Sequence, residues 1–167
     1  MKTLKITIIV LCSLLLFSSC NTQKLLQETT LVQNQPIEGY KYIYVQPSNT
    51  ISSDIGYVGG TAYGVYGVSS SNSVNPNDII SGYLIKKGYI KLPEITPNLA
   101  SQTLIINYGE LGLRKLNALA SATKIIIQII SAETNEVLCT SEAEGCGETK
   151  SDDIKQAILR ALEKIFP

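Results

Sequence analysis

The last forty-odd residues leave this chain little choice of fold. Lys124 to Ala132 carries Ile125, Ile126, Ile127, Ile129 and Ile130, a β-branched run suited to a strand. Glu133-Thr134-Asn135 interrupts it, with asparagine where a positive φ is tolerated, and Glu136 to Glu144 reads as the returning strand. The spacing predicts two long antiparallel neighbours. Beyond them, Ile154, Ala157, Ile158, Ala161, Leu162, Ile165 and Phe166 recur at helical spacing, with Lys155, Arg160, Glu163 and Lys164 opposite. Ser151 is the expected cap, and Asp152 and Asp153 fill the first turn. A hairpin followed by a one-sided helix has to lay that stripe across the sheet, and burial of Ile158 and Leu162 contributes about 1.5–3 kcal/mol each.

Upstream the pattern is consistent with such a sheet. Tyr40 to Val45 alternates strictly, tyrosines against Lys41, Ile43 and Val45, and predicts a first strand. Between Ser48 and Ser73, Gly56, Gly59, Gly60, Gly64 and Gly67 interleave with Tyr57, Tyr63 and Tyr66; glycine at this density opposes helix, so a mobile loop or loose hairpin is expected. Asn75, Pro76 and Asp78 open a helix that Gly88 closes. Tyr89 to Leu92 is a short strand, Thr103 to Tyr108 a strand buried on both faces, and Leu111 to Ala120 a connector. The expected fold class is α+β: two layers, an antiparallel or mixed sheet with helices on one face, and a Gly/Tyr-rich insertion (48–74) after the first strand.

The 167 residues contain no histidine. Ser-His and Cys-His nucleophile pairs and imidazole metal ligands are therefore excluded. Carboxylate chemistry would need two of Glu94, Glu110, Glu142 and Glu144 to converge in a pocket. No basic stripe favours nucleic acid. Neither a metal nor a cofactor is expected. Cys139 and Cys146 stand too far apart along an extended strand for a disulfide, which demands Cα atoms within about 7 Å, unless that strand ends early.

The amino terminus carries a different signal. Lys2 and Lys5 precede an apolar stretch from Ile6 to Phe17, followed by Ser18, Ser19 and Cys20. The run is shorter than the about 20 residues of a membrane-spanning helix and has the layout of a secretory signal. Leu16, Phe17, Ser18, Ser19 and Cys20 resemble the box that ends bacterial lipoprotein signals. That resemblance implies cleavage before Cys20, a lipid on its thiol and an acylated new amino terminus, which together hold a protein firmly to a bilayer. The expected organisation is a signal peptide (1–19), a lipidated tether (20–38) with a short helix at Leu25 to Leu31, and one α+β domain (39–167). Loss of Lys2 and Lys5 leaves twelve basic against fourteen acidic residues. Asn21 to Leu25 lacks the acidic cluster that resembles a Bacteroidetes surface-export signal, so an outer-membrane anchor facing the periplasm is expected, with exposure at the cell surface as the alternative.

The hairpin around Ala132 to Val137, the Glu144-Gly145 ending and the helix opening Asp152-Asp153-Ile154 resemble uncharacterised Bacteroidetes lipoproteins. More distantly they are similar to the periplasmic domains of the curli-secretion lipoprotein CsgG and the TolB N-terminal domain. The resemblance implies an envelope protein that acts by contact, a binding or assembly module and no enzyme. Cys20 is the expected lipidation site. Tyr57, Tyr63 and Tyr66 are the candidate partner-binding residues, aromatics offering large contact area at low entropic cost; the other reading is a solvated insertion with no partner. The alternative assembly, a subunit whose hairpin enters a membrane as in curli-type pores, requires about 9–11 alternating positions per strand. On sequence, Ile55 to Val68 barely supplies one such strand.

Overall fold

The computed structural model describes residues 25–61, 64–118 and 120–167, and within 52–72 the backbone. Its main element is a six-stranded mixed sheet: β1 (Thr30–Gln33), β2 (Tyr42–Val45), β5 (Ile90–Lys91), β6 (Thr103–Lys115), β7 (Ser121–Ser131) and β8 (Val137–Gly145), in the order β1-β8-β7-β6-β2-β5. β6, β7, β8 and β1 pair antiparallel, whereas β2 runs parallel to both β5 and β6. A separate ribbon is formed by β3 (Ile51–Thr61) and β4 (Gly64–Val74). Helix α1 (Pro76–Lys86) and helix α2 (Lys150–Ile165) share one face of the sheet. The expected α+β two-layer class is the observed one.

The core follows the alternation of the strands. Ile125, Ile127 and Ile129 of β7, Leu104 and Ile106 of β6 and Ile43 of β2 are fully buried, facing Ile154, Ile158 and Leu162 of α2 and Ile80 and Leu84 of α1. The two helices meet at the carboxy terminus, where the Tyr83 hydroxyl donates to the Phe166 carbonyl at 3.2 Å and Tyr89 meets Phe166 edge-on. Asn75 caps α1, its side chain accepting from the Asn77 N–H at 3.0 Å. Asn135 takes φ 59° in the β7–β8 turn, and its N–H donates to the Ser131 carbonyl.

Three expectations need correction, and a fourth is narrowed. Thr22 to Ile37 is no simple spacer with a helix at Leu25 to Leu31: Thr30–Gln33 pairs with Cys139 to Glu142 as edge strand β1, so the sheet begins before residue 39. Leu111 to Ala120 is no connector, because β6 continues to Lys115; Gly112, at φ +116°, absorbs a bulge that keeps the pairing with β7. Thr149 caps α2 in place of Ser151, its hydroxyl accepting from the Asp152 N–H at 3.1 Å. Of the two readings of the insertion, loop or hairpin, the structure has the hairpin, a ribbon in continuous register from Ile51 opposite Val74 to Thr61 opposite Gly64. The glycines remove helix as an option but leave the backbone ladder intact, and eleven paired positions hold it.

Candidate interaction site

Several chain segments converge at one end of the sheet: the final turns of β6 and β8, the start of α2, and the residues that precede β1. Two arginines fasten the incoming chain there. Arg114 near the end of β6 donates from Nε to Glu144 Oε1 at 2.7 Å and from Nη2 to Oε2 at 2.6 Å, a bidentate pair. Its Nη2 also donates to the Leu25 carbonyl at 3.0 Å. The Gln27 N–H donates to Glu144 Oε2 at 2.9 Å, and Arg160 of α2 donates to the Glu144 and Gln27 carbonyls at 2.6 and 2.9 Å. Leu25 and Gln27 are thereby held between strand and helix, beside a groove lined by Leu26, Gln156, Leu159, Arg160 and Glu163.

Glu144 is only 1% exposed, and a buried carboxylate persists because its oxygens are so fully engaged. The Arg114 guanidinium, with the Gln27 N–H, holds its carboxyl below the usual carboxylate range, against the opposing pull of burial. A depressed folded-state pKa contributes stability above the unfolded value of about 4.3, and that contribution is lost as pH falls through the folded value. Wild-type stability should therefore decline on the acid side of about pH 4. Glu144→Gln should cost about 1.5–3 kcal/mol at neutral pH and flatten that acid-side slope, as urea midpoints across a pH series would record.

The ribbon is rooted at the same end. The Ser151 hydroxyl donates to the Ile51 carbonyl at 3.5 Å, and a groove of about 320 Å³ lies between Pro47 to Ile51 and Tyr108 to Glu110. Lys150 bridges to Glu110 at 3.1 Å beside it. Burial, followed by the nearby Glu110 charge, pushes the Tyr108 phenol well above its ordinary value.

No protein-family model matches the chain, and no curated protein does either. Among solved structures, a single-substitution variant of PelC from Paraburkholderia phytofirmans, crystallised as a dodecamer, is 10% identical with a TM-score of 0.50, covering 84% of this chain and all of that one. That likeness shows the fold. A second PelC dodecamer from the same organism is 12% identical at a TM-score of 0.48, over 83% of this chain and 97% of that one. A neuraminyllactose-binding hemagglutinin homolog from Helicobacter pylori is 14% identical at 0.28, over 81% of each chain.

Of the residues singled out from sequence, Cys20 and Tyr63 lie outside the described residues. Residues 57 and 66 belong to adjacent pairs on one face of the ribbon, Tyr57 opposite Val68 and Gly59 opposite Tyr66. Three of the four carboxylates pair with different cations, Glu110 with Lys150, Glu142 with Lys124 at 2.6 Å and Glu144 with Arg114, while Glu94 is exposed. Cys139 and Cys146 are free thiols. Burial pushes Cys139 up to about 11, and burial together with Asp153 raises Cys146, so both thiols are poor nucleophiles at neutral pH. The arginine clamp was not foreseen. Its sequence trace is faint: Glu144 is the second of two glutamates on β8, and nothing local distinguishes it from Glu142.

Proposed function

We propose that this chain is a lipid-anchored cell-envelope module that binds or assembles with neighbours, tethered through Cys20 to the outer membrane on its periplasmic side and acting by contact, without catalysis. The observation that carries this reading is the β3–β4 ribbon, eleven residues per strand, rooted on the start of α2, across a groove from residues 108–110 and outside the six-stranded sheet. A fold shared with a protein crystallised as a dodecamer supports assembly, and the separate engagement of the candidate carboxylates supports the absence of a reaction centre.

Two measurements test it. Cys20→Ser should move the protein from the membrane fraction to the soluble fraction; unchanged partitioning would remove the anchor. Replacing residues 54–71 by a two-residue turn keeps Ile51 and Val74, which pack against the core, and should leave a cooperative melt within a few degrees of wild type. The same variant should lose its partners in crosslinking from native envelopes. Retained crosslinks would place the contact surface elsewhere.

The length of the ribbon favours a second reading, a subunit of an oligomer whose hairpins enter the membrane, related to curli-type secretion pores. A tilted bilayer-crossing strand needs about 9–11 residues, and each ribbon strand has eleven, longer than Ile55 to Val68 promised on sequence. The register assigns positions 55, 57, 66 and 68 (Ile, Tyr, Tyr, Val) to one face along with 53, 70 and 72 (Ser, Ser, Asn), and 52, 54, 69 and 71 (Ser, Asp, Ser, Ser) to the other along with 58 and 65 (both Val). Conductance steps in planar bilayers that disappear when 54–71 are excised would select this reading over a periplasmic contact.

A further inference from the structure

We propose that the β6–β7 tip, residues 111–118, is a membrane-contact surface that rests on the lipid bilayer carrying the anchor. The inference depends on the lipoprotein reading for the anchor itself. Everything else comes from where the tethered chain enters the folded body and what surrounds that point.

The clamp fixes the entry point. Leu25 is bonded through its carbonyl to Arg114, and Gln27 to Arg160 and Glu144. Leu25 is five residue steps beyond Cys20, a reach of no more than about 18 Å even when fully extended. The end of the domain that carries Arg114 therefore cannot leave the neighbourhood of the lipid headgroups while the anchor is in the bilayer. Without the clamp the leash would run on to β1, and the body could turn another side to the membrane.

The surface at that end suits a lipid interface. Leu113, next to Arg114 on β6, is 70% exposed, and Leu111 is 49% exposed. Leu116 is half-buried beyond them, and the exposed Lys115 supplies positive charge, the Arg114 guanidinium being paired with Glu144. The paired ends of β6 and β7, Leu113 opposite Thr123 and Lys115 opposite Ser121, support the leucines on a ladder. Exposed leucines beside a lysine suit a headgroup layer, the leucines entering the acyl boundary and the Lys115 ammonium meeting phosphate. Exposed leucines so close to a tether are covered whenever the anchor is seated.

The test uses the full lipidated chain purified from membranes, in a Cys146→Ser background so that the buried Cys139 is the remaining internal thiol. An environment-sensitive fluorophore is placed at Leu113→Cys. As a comparison it is placed at Ile90→Cys, a residue 55% exposed at the opposite end of the sheet, where β5 meets the first residue of β2. On reconstitution into phosphatidylethanolamine–phosphatidylglycerol vesicles, the Leu113 label should shift to the blue and lose intensity to brominated acyl chains, while the Ile90 label does neither. A protein that floats with the vesicles but keeps an aqueous Leu113 label overturns the proposal and leaves the anchor standing. A blue shift without vesicles that grows with protein concentration assigns the tip to a second copy and overturns it as well. A chain that does not float, with residue 20 unmodified by mass, removes the anchor and this inference together.

Discussion

Ile158→Asp should leave the domain unfolded at room temperature. Ile158 is completely buried in the middle of α2, among side chains of β7 and β8. Removing the aliphatic side chain alone costs about 2–5 kcal/mol, and the aspartate adds an unpaired charge where nothing can solvate it. The sum reaches the 5–15 kcal/mol that typically separates folded from unfolded states. Loss of far-UV helical signal and of a cooperative thermal transition would record it. Ile158→Val, which keeps the packing chemistry, should cost only about 0.5–1.5 kcal/mol. A folded Ile158→Asp variant would mean that α2 is not the cover of the sheet.

Gly145→Val should be nearly as damaging, for a steric reason. Gly145 ends β8 where the backbone of α2 passes directly over it. A Cβ at this position would overlap the Asp153 carbonyl oxygen and come within 2.8 Å of the Ala157 nitrogen. These are backbone atoms of a packed helix and cannot swing aside as a side chain would. The helix must lift, and with it the buried contacts of Ile154, Ala157 and Ile158 are lost. Overpacking usually costs about 1–3 kcal/mol, and a backbone obstacle puts this case at or beyond the upper end. Gly112→Ala provides the contrast: space is open around Gly112, so the penalty there comes from its φ of +116° alone. A melting series of the three proteins separates close approach from backbone conformation.

How much of this was readable in advance depends on whether the signal was local. The β7–β8 hairpin and α2 were legible because every position from Ile125 to Phe166 votes the same way, by period and by turn chemistry. Strand β1 was not. Thr30–Gln33 has four residues of indifferent pattern, and it is a strand because Cys139 to Glu142 offers it an unpaired edge. The outer half of β6 was hidden by Gly109 and Gly112 together with Glu110 and Arg114, a composition that reads as loop until the pairing with β7 is seen. The ribbon was legible only as a choice between loop and hairpin, because glycine argues against helix but says little about an antiparallel ladder. The clamp was invisible because its members stand far apart in sequence, Arg114 lying 30 residues from Glu144 and Arg160 lying 133 from Gln27.

The pairing of β1 with β8 sets how the molecule bears load. Tension drawn through the amino terminus meets the arginine bonds at Leu25 and Gln27 first, then the β1–β8 ladder. The helices and their apolar filling are strained only after both have parted. A pull at the amino terminus is thus met first by polar fastenings, and the hydrophobic interior stays shut.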